Sequence, residues 1–318
     1  MDVLRVIAPG PLSTVQDLGR YGWQRFGVPV SGALDDFSHR VANRLVGNPD
    51  GAATLEMTLA GAKLEALAPV SLAVAGADMP LSLNQRPVEA WQCLRLEPGD
   101  VLTVGTARAG VRAYLALAGG IEVPRVMGSR STNLGGGFGG LAGRSLRRGD
   151  VLAAGAPAGG RRQRRLPPEH RPAWERRVNL RALPGPQDDY FDQGLTVFFA
   201  SEFTVTPDTD RVGCRLQGPE VPLARGRSAG IISEPLAPGG VQVPADGQPI
   251  ILLGEQTVGG YAKIATVLSV DLPRVAQLRP GDRVAFRRVD LDEAHRLYRR
   301  YHQRLQEMSR LMAVGDEV

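Results

Sequence analysis

Three stretches of this chain gather residues able to do chemistry. Gln256 and Thr257 precede the adjacent glycines Gly259 and Gly260, and Tyr261 follows them. An amide, a hydroxyl and a phenol therefore stand beside two residues that permit positive φ and close backbone approach. The apolar run 249–253 leads straight into them, so the stretch reads as a loop after a strand, built to hold something. The second stretch is Thr14-Val-Gln-Asp-Leu-Gly-Arg-Tyr-Gly-Trp23, followed by Gly27-Val-Pro-Val-Ser-Gly-Ala-Leu-Asp35. Its Gln16, Asp17 and Arg20 lie within five residues. Asp17 and Arg20 fit a structural ion pair that pins the loop. They could also present a carboxylate and a guanidinium to a carboxylate or phosphate ligand, but the structural pair is the plainer reading. The third stretch is Gly128-Ser-Arg-Ser-Thr-Asn133, followed by Gly135-Gly-Gly-Phe-Gly-Gly140. Successive backbone N–H groups there could cradle an anion. No Gly-Lys-Ser/Thr follows it, and no strand and helix flank it in dinucleotide order, so a flexible hairpin is the plainer reading.

The elements that must carry these residues are short. Strands are read at 3–7, 71–75, 101–104, 111–117, 179–183, 195–200, 203–205, 250–253, 266–270 and 284–286. Residues 35–46 carry Phe37, Val41, Ala42 and Leu45 on one helical face, with Asp35 or Asp36 as cap and Gly47-Asn48-Pro49 as stop. Residues 290–312 form a second amphipathic helix with Leu291, Ala294, Leu297, Tyr298, Tyr301, Leu305, Met308 and Leu311 along its stripe. Leu96-Glu-Pro-Gly-Asp-Val-Leu102 and Leu278-Arg-Pro-Gly-Asp-Arg-Val284 repeat one device, and Leu146-Arg-Arg-Gly-Asp-Val-Leu152 is a third copy. Each reads as strand, turn, strand, which suggests two related β domains. The Pro/Gly/Arg-rich stretch between them lacks a hydrophobic period. The expected division is a domain at 1–156, a linker at 157–177, a domain at 178–289 and a helix at 290–314.

Composition narrows the function. The chain has 318 residues, 43% hydrophobic and 22% charged, which suits a soluble globular protein. Its formal charge is +5, yet only Lys63 and Lys263 are lysines among 38 cationic side chains. An arginine bias of that kind does not indicate a nucleic-acid partner. The densest basic run, Arg161-Arg-Gln-Arg-Arg165, lacks interleaved aromatics and reads as a solvated linker. Cys93 and Cys214 stand apart without metal spacing and read as free thiols, so no metal site is expected. His39, His170, His295 and His302 lie in helices or the linker, so histidine acid/base chemistry is not expected. The opening residues do not read as a signal peptide and no apolar run is long enough to span a membrane, so the cytoplasm is the expected compartment.

With these motifs in order, the chain resembles the biotin-dependent carboxyltransferase family called allophanate hydrolase subunit 2. The blocks at 13–22 and 27–35 look like the family's opening. Gly128-Ser-Arg-Ser-Thr132, Pro238-Gly-Gly-Val-Gln-Val-Pro244, Gly247-Gln-Pro249, Gln256-Thr-Val-Gly-Gly-Tyr261 and Pro280-Gly-Asp282 match its later motifs. Val258 stands where the family commonly has Thr, and Ala262 where it commonly has Pro.

The resemblance implies a mainly β chain of two cyclophilin-like β-barrel domains in tandem with few helices. Stand-alone members of this length resemble the C subunit of bacterial 5-oxoprolinase, a complex that hydrolyses 5-oxo-L-proline to L-glutamate with ATP. The implied partners are a KipI-like B subunit and a lactam-utilisation-type A subunit, and the implied cofactors are ATP and, with it, Mg. Carried over from the motifs, Gln16, Asp17, Arg20, Asp35 and Arg130 are the implied catalytic residues. Gln242, Gln256, Thr257, Gly259, Gly260 and Tyr261 are implied to bind substrate or nucleotide. Arg20 and Arg130 would supply charge, the amides of Gly135 to Gly137 and of Gly259 and Gly260 would donate, and Asp17 or Asp35 would orient a partner or a water. Related regions of urea carboxylase and urea amidolyase transfer CO2 from carboxybiotin, and a similar protein antagonises a kinase inhibitor. Neither lysine sits in a Met-Lys-Met motif, so no biotin attached to this chain is expected.

Overall fold

The computed structural model describes residues 1–157 and 164–312. They divide into two compact units. Unit 1 comprises Met1–Arg20, Ser31–Trp174 and the chain from Arg304; unit 2 comprises Tyr21–Val30 and Glu175–Gln303. Tyr21–Val30, placed by sequence inside the first domain, clusters with unit 2. Residues 158–163 of the expected linker, and 313–314 of the expected helix, lie outside the described residues. Of the basic run, Arg164 and Arg165 are described: Arg165 is exposed, whereas Arg164 is half-buried. Its carbonyl accepts from Cys93 N at 2.8 Å, and Leu166, two residues on, is fully buried.

Unit 1 is two sheets around one core. The six-stranded sheet runs Val151–Ala153, Asp2–Ala8, Lys63–Ala66, Val101–Val104, Leu81–Leu83, Arg86–Val88. The five-stranded sheet runs Leu12–Gln16, Thr54–Thr58, Ala109–Leu117, Val70–Asp78, Cys93–Leu96. Leu4, Val6, Leu64, Leu102, Leu55, Leu72 and Leu115 meet in its core. Helix α1, Asp36–Leu45, packs on Ala109–Leu117 and Val70–Asp78. Those two strands are therefore covered on both faces, which explains their runs of Ala and Gly in place of clean alternation.

Unit 2 contains a closed seven-stranded barrel in the order Arg177–Pro184, Lys263–Val267, Gly240–Gln242, Ile250–Leu252, Gly213–Gln217, Glu202–Val205, Arg283–Arg288. A parallel pairing of Arg177–Pro184 with Arg283–Arg288 closes it. A separate two-stranded ribbon joins Gly230–Pro235 to Val258–Tyr261. The helices are α1, α2 at Asp192–Ala200, α3 at Leu272–Val275 and α4 at Leu291–Met312. The chain is thus mainly β with few helices. On α4, Ala294, Leu305, Met308 and Met312 are buried, whereas Leu291 and Tyr298, expected on the buried stripe, are exposed. No described helix is long and apolar enough to cross a membrane.

Two readings of local structure are corrected. Residues 195–200 are helical, within α2, not a strand. A short apolar run suits either state. Tertiary packing decides here, because Phe198 stacks on Phe286 at 4.2 Å and lies 6.0 Å from Phe203. The three Gly-Asp turns are not hairpins. Cys93–Leu96 and Val101–Val104 lie in different sheets, so the first turn carries the chain from one sheet to the other. In every copy the glycine takes positive φ (Gly99 90°, Gly149 90°, Gly281 86°). The aspartate then accepts from the backbone N–H three residues back: Asp100 from Glu97 at 2.7 Å, Asp150 from Arg147 at 2.7 Å, Asp282 from Arg279 at 2.8 Å. The repeat is real as a self-closing turn that delivers the following strand.

Candidate functional site

In unit 1 the site residues form a closed knot. Asp17 Oδ1 accepts from Gly19 N at 2.8 Å and from the hydroxyls of Ser129 and Ser131, each at 2.6 Å. Its Oδ2 accepts from Arg130 N at 2.6 Å. Burial pushes this carboxyl up, but the hydrogen bonds from Ser129, Ser131, Arg130 N and Gly19 N outweigh burial and hold it below its usual 3.8. Arg20 is 1% exposed, donates Nη2 to the Ser131 carbonyl and lies 4.8 Å over the Phe138 ring. Ser131 thus links the two residues, its hydroxyl to Asp17 and its carbonyl to Arg20. Gln16 is fully buried and donates Nε2 to Thr14 Oγ1 at 3.0 Å and Thr132 O at 3.2 Å.

The same packing engages Arg130 and part of the glycine-rich stretch. The Arg130 guanidinium pairs with Glu122 and donates Nε to Val123 O at 3.0 Å. Gly136 N is taken by Asn133 Oδ1 at 2.6 Å, and Asn133 N closes the turn on Phe138 O at 2.9 Å. The stretch turns back on itself, and its Gly136 amide is already taken.

Asp35 is a helix cap. Its carboxylate accepts from Ser38 N at 2.9 Å and Ser38 Oγ at 2.7 Å, at the head of α1. Its own N–H reaches a buried network that sequence reasoning missed. Asp35 N donates to the Tyr114 hydroxyl at 2.8 Å, which donates to Glu56 Oε2 at 2.8 Å. Arg112 Nε stands 3.9 Å from Glu56 Oε1. Burial, then the negative Glu56 and Asp35, drive the Tyr114 phenol well above its usual 10.0, so it stays protonated. Burial pulls His39 down to about 4, so its ring is neutral, with Nδ1 2.9 Å from Thr54 Oγ1. The available signal was a charged residue inside an apolar strand, as in Thr54-Leu-Glu-Met-Thr58.

In unit 2 the glycines behave differently from expectation. Val258–Tyr261 is a strand, and neither Gly259 nor Gly260 has positive φ. Close approach explains the first of them. A Cβ at Gly259 would lie 2.6 Å from Gln242 Nε2 and 2.8 Å from Leu236 Cδ1. Gln242 is 4% exposed and donates to Tyr261 O at 3.4 Å, while Tyr261 is 45% exposed. Thr257 O accepts from Leu236 N at 2.9 Å. Half-buried Gln256 follows Glu255, which Arg211 grips through Nε at 3.1 Å and Nη2 at 2.9 Å.

Beside them is a cluster that the motifs did not flag. Lys263 is 6% exposed, and its ammonium pairs with Glu234. Glu234 Oε1 also accepts from Gln187 Nε2 at 2.8 Å, and Gln187 Oε1 accepts from Lys263 N at 3.0 Å. The Lys263 and then the Gln187 hydrogen bonds hold the Glu234 carboxyl below its usual range. The signal was present in composition: a lone lysine in the second half of an arginine-biased chain.

Unit 1 also has a cavity of about 720 Å³ lined by Met79, Pro80, Trp91, Arg108, Arg171 and Trp174. None of the sequence-predicted site residues lines it.

The profile of the carboxyltransferase domain, subdomain A and B, matches residues 26–288. The chain belongs to this family. It is 39% identical over 294 residues to the 5-oxoprolinase C subunit of Escherichia coli K12, covering 92% of this chain and 93% of that protein. It is 34% identical to the 5-oxoprolinase C subunit of Haemophilus influenzae, covering 94% and 96% of the two chains. Among solved structures, the K. lactis urea amidolyase superposes with a TM-score of 0.91 at 32% identity. That match covers 96% of this chain and 20% of the amidolyase. This carboxyltransferase-family chain therefore corresponds to about a fifth of that larger enzyme.

Proposed function

We propose that this chain is the C subunit of a 5-oxoprolinase, a complex that opens 5-oxo-L-proline to L-glutamate at the expense of ATP. The observation that carries the reading is the end-to-end likeness to two proteins of that name, each matched over nine-tenths of both chains. A lactam is a stable amide. Its carbonyl oxygen attacks the γ-phosphorus of ATP, and ADP leaves. Water then adds to the activated carbon, the C–N bond breaks with a proton to nitrogen to leave an acyl phosphate, and a second water hydrolyses that acyl phosphate to the carboxylate and free phosphate. Such a sequence needs positioning and charge stabilisation rather than a covalent nucleophile.

The residues of unit 1 do not fit a nucleotide site, because Arg20, Arg130 and the Gly136 amide are engaged by Ser131, Glu122 and Asn133. ATP and its Mg are accordingly assigned to the partners, a KipI-like B subunit and a lactam-utilisation-type A subunit. The face around Gln242, Gly259 and Tyr261 is this chain's contribution to substrate. Neither Lys63 nor Lys263 sits in a Met-Lys-Met motif, so on this reading any biotin arrives on another chain. Mixing the purified chain with its A and B partners is expected to yield glutamate only when ATP is present. Absence of product, beside a control complex that works, overturns the reading.

The likeness to urea amidolyase supports a second reading as the carboxyltransferase part of a biotin-dependent system. In that case the chain transfers CO2 from a carboxybiotin carrier to urea and gives no glutamate with A and B.

A further inference from the structure

Lys263 is a cation built into a barrel wall whose counterion lies outside the barrel. Its side chain is 7% exposed, whereas that of Glu234 is 37% exposed. Glu234 belongs to the Gly230–Pro235 strand of the ribbon, where neighbouring Ile232 is 93% exposed. Burying an ammonium is costly unless it is paired and hydrogen-bonded. A purely structural pair would place both partners in the wall, or would be replaced by apolar side chains of similar volume at no loss. Here the partner can leave and the cation cannot.

The surroundings of Glu234 match a carboxylate. Lys263 Nζ and Gln187 Nε2 both donate to its Oε1. Gln242 is the cross-strand partner of Lys263, so both side chains emerge on one face of the sheet. The Gln242 amide lies against Gly259, and Gly259 is itself the cross-strand partner of Glu234. Among the described residues that amide donates over a long distance, 3.4 Å to Tyr261 O. A lysine point charge and the Gln187 amide hold the Glu234 carboxylate, which has about four acceptor sites, and the Gln242 amide stands nearby against the cross-strand partner of Glu234.

We infer that Lys263, Gln187 and Gln242 form a carboxylate-binding site that Glu234 fills in the absence of ligand, and that the carboxylate of a small lactam acid displaces Glu234. The exchange swaps one carboxylate for another, so no charge is left buried and unpaired. Naming 5-oxo-L-proline as the ligand rests on the function proposed above; the site itself does not.

The test uses the assembled complex. Lys263→Met keeps the volume of the side chain and removes the charge. It is expected to raise KM for 5-oxo-L-proline at least tenfold and to leave KM for ATP unchanged. Glu234→Gln removes the internal competitor and is expected to lower KM for 5-oxo-L-proline several-fold. A structural ion pair predicts the opposite, and a Glu234→Gln variant with raised KM overturns the proposal. Calorimetric titration without ATP gives an independent readout. 5-Oxo-L-proline should bind the wild type and fail with Lys263→Met, while 2-pyrrolidinone, which lacks the carboxylate, should not distinguish the two. Binding of inorganic phosphate in place of 5-oxo-L-proline makes this a phosphate site and overturns the carboxylate assignment. If the wild-type complex makes no glutamate, the functional reading fails, and titration with 5-oxo-L-proline and L-glutamate still decides the site. Should Lys263→Met not fold, Glu234→Gln alone carries the test.

Discussion

Asp17 and Glu234 are carboxylates at the two candidate regions, and their surroundings are opposite. Asp17 takes four hydrogen bonds, all from residues packed beside it in unit 1. Glu234 neutralises a buried lysine from an exposed ribbon. A carboxylate with both oxygens engaged holds a loop in place and has little left to offer a ligand. A buried donor set whose acceptor sits at the surface can exchange that acceptor. The difference sorts the family motifs: the stretches around Gln16, Asp17, Arg20 and Arg130 are held by hydrogen bonds within unit 1, while Gln242 and Lys263 belong to the exchangeable site proposed above.

The sharpest way to break this contrast is Asp17→Ala. It orphans the Ser129 and Ser131 hydroxyls and two backbone N–H groups, and is expected to cost about 3–5 kcal/mol of stability. Denaturant unfolding measures it, and a loss below about 1 kcal/mol would end the structural reading. The pH dependence follows with a definite sign. The folded carboxyl is held below 3.8, so its stabilisation is present above that pH and fades as pH falls through the folded value. Asp17→Asn should therefore flatten the acid limb of the stability curve.

Tyr114→Phe comes next. It removes the hydroxyl between Asp35 N and Glu56, for about 1–3 kcal/mol, read as a fall in Tm with no change in KM for a lactam substrate. His39 gives a separate pH signature. Its folded value of about 4 lies below the usual 6.5, so the stability it contributes is full above 6.5 and lost as pH falls towards 4. In His39→Gln that slope should vanish even if the variant is less stable throughout.

In unit 2, Gly259→Ala should act on function more than on stability. The added methyl would meet Gln242 Nε2 at 2.6 Å and displace it. An overpacking cost of about 1–3 kcal/mol is expected, with activity in the complex falling more than tenfold. Equal loss from Gly259→Ala and from a unit 1 core variant of matched stability would erase the contrast. The smallest effect belongs to Gln256→Ala, expected to change activity less than twofold, since Arg211 and Glu255 hold that turn without it.

Much of the architecture was legible along the chain. The face of α1 with its Asp35 cap, the strands at 101–104 and 203–205, and the positions of the three Gly-Asp turns, though not the hairpins expected around them, all rest on neighbours in sequence. Residues 195–200 were misread because Phe198 is claimed by Phe286, far along the chain. The site was less legible. Asp17 and Arg20 were read as a possible pair, but the partner of both is Ser131, more than a hundred residues away. Gly259 and Gly260 were read as a positive-φ turn. Gly259 is required instead by the side chain of Gln242 pressing on its strand.

By itself, then, the sequence determined the mainly β class, the helix and turn signals, and the family to which the chain belongs. Those depend on periodicity, turn chemistry and ordered motifs, which are local or additive along the chain. Only the tertiary structure decided which polar groups are spent and which can be exchanged. That is a matter of burial and hydrogen-bond satisfaction, set by contacts such as Glu234 to Lys263 and Asp17 to Ser129 that no local pattern records.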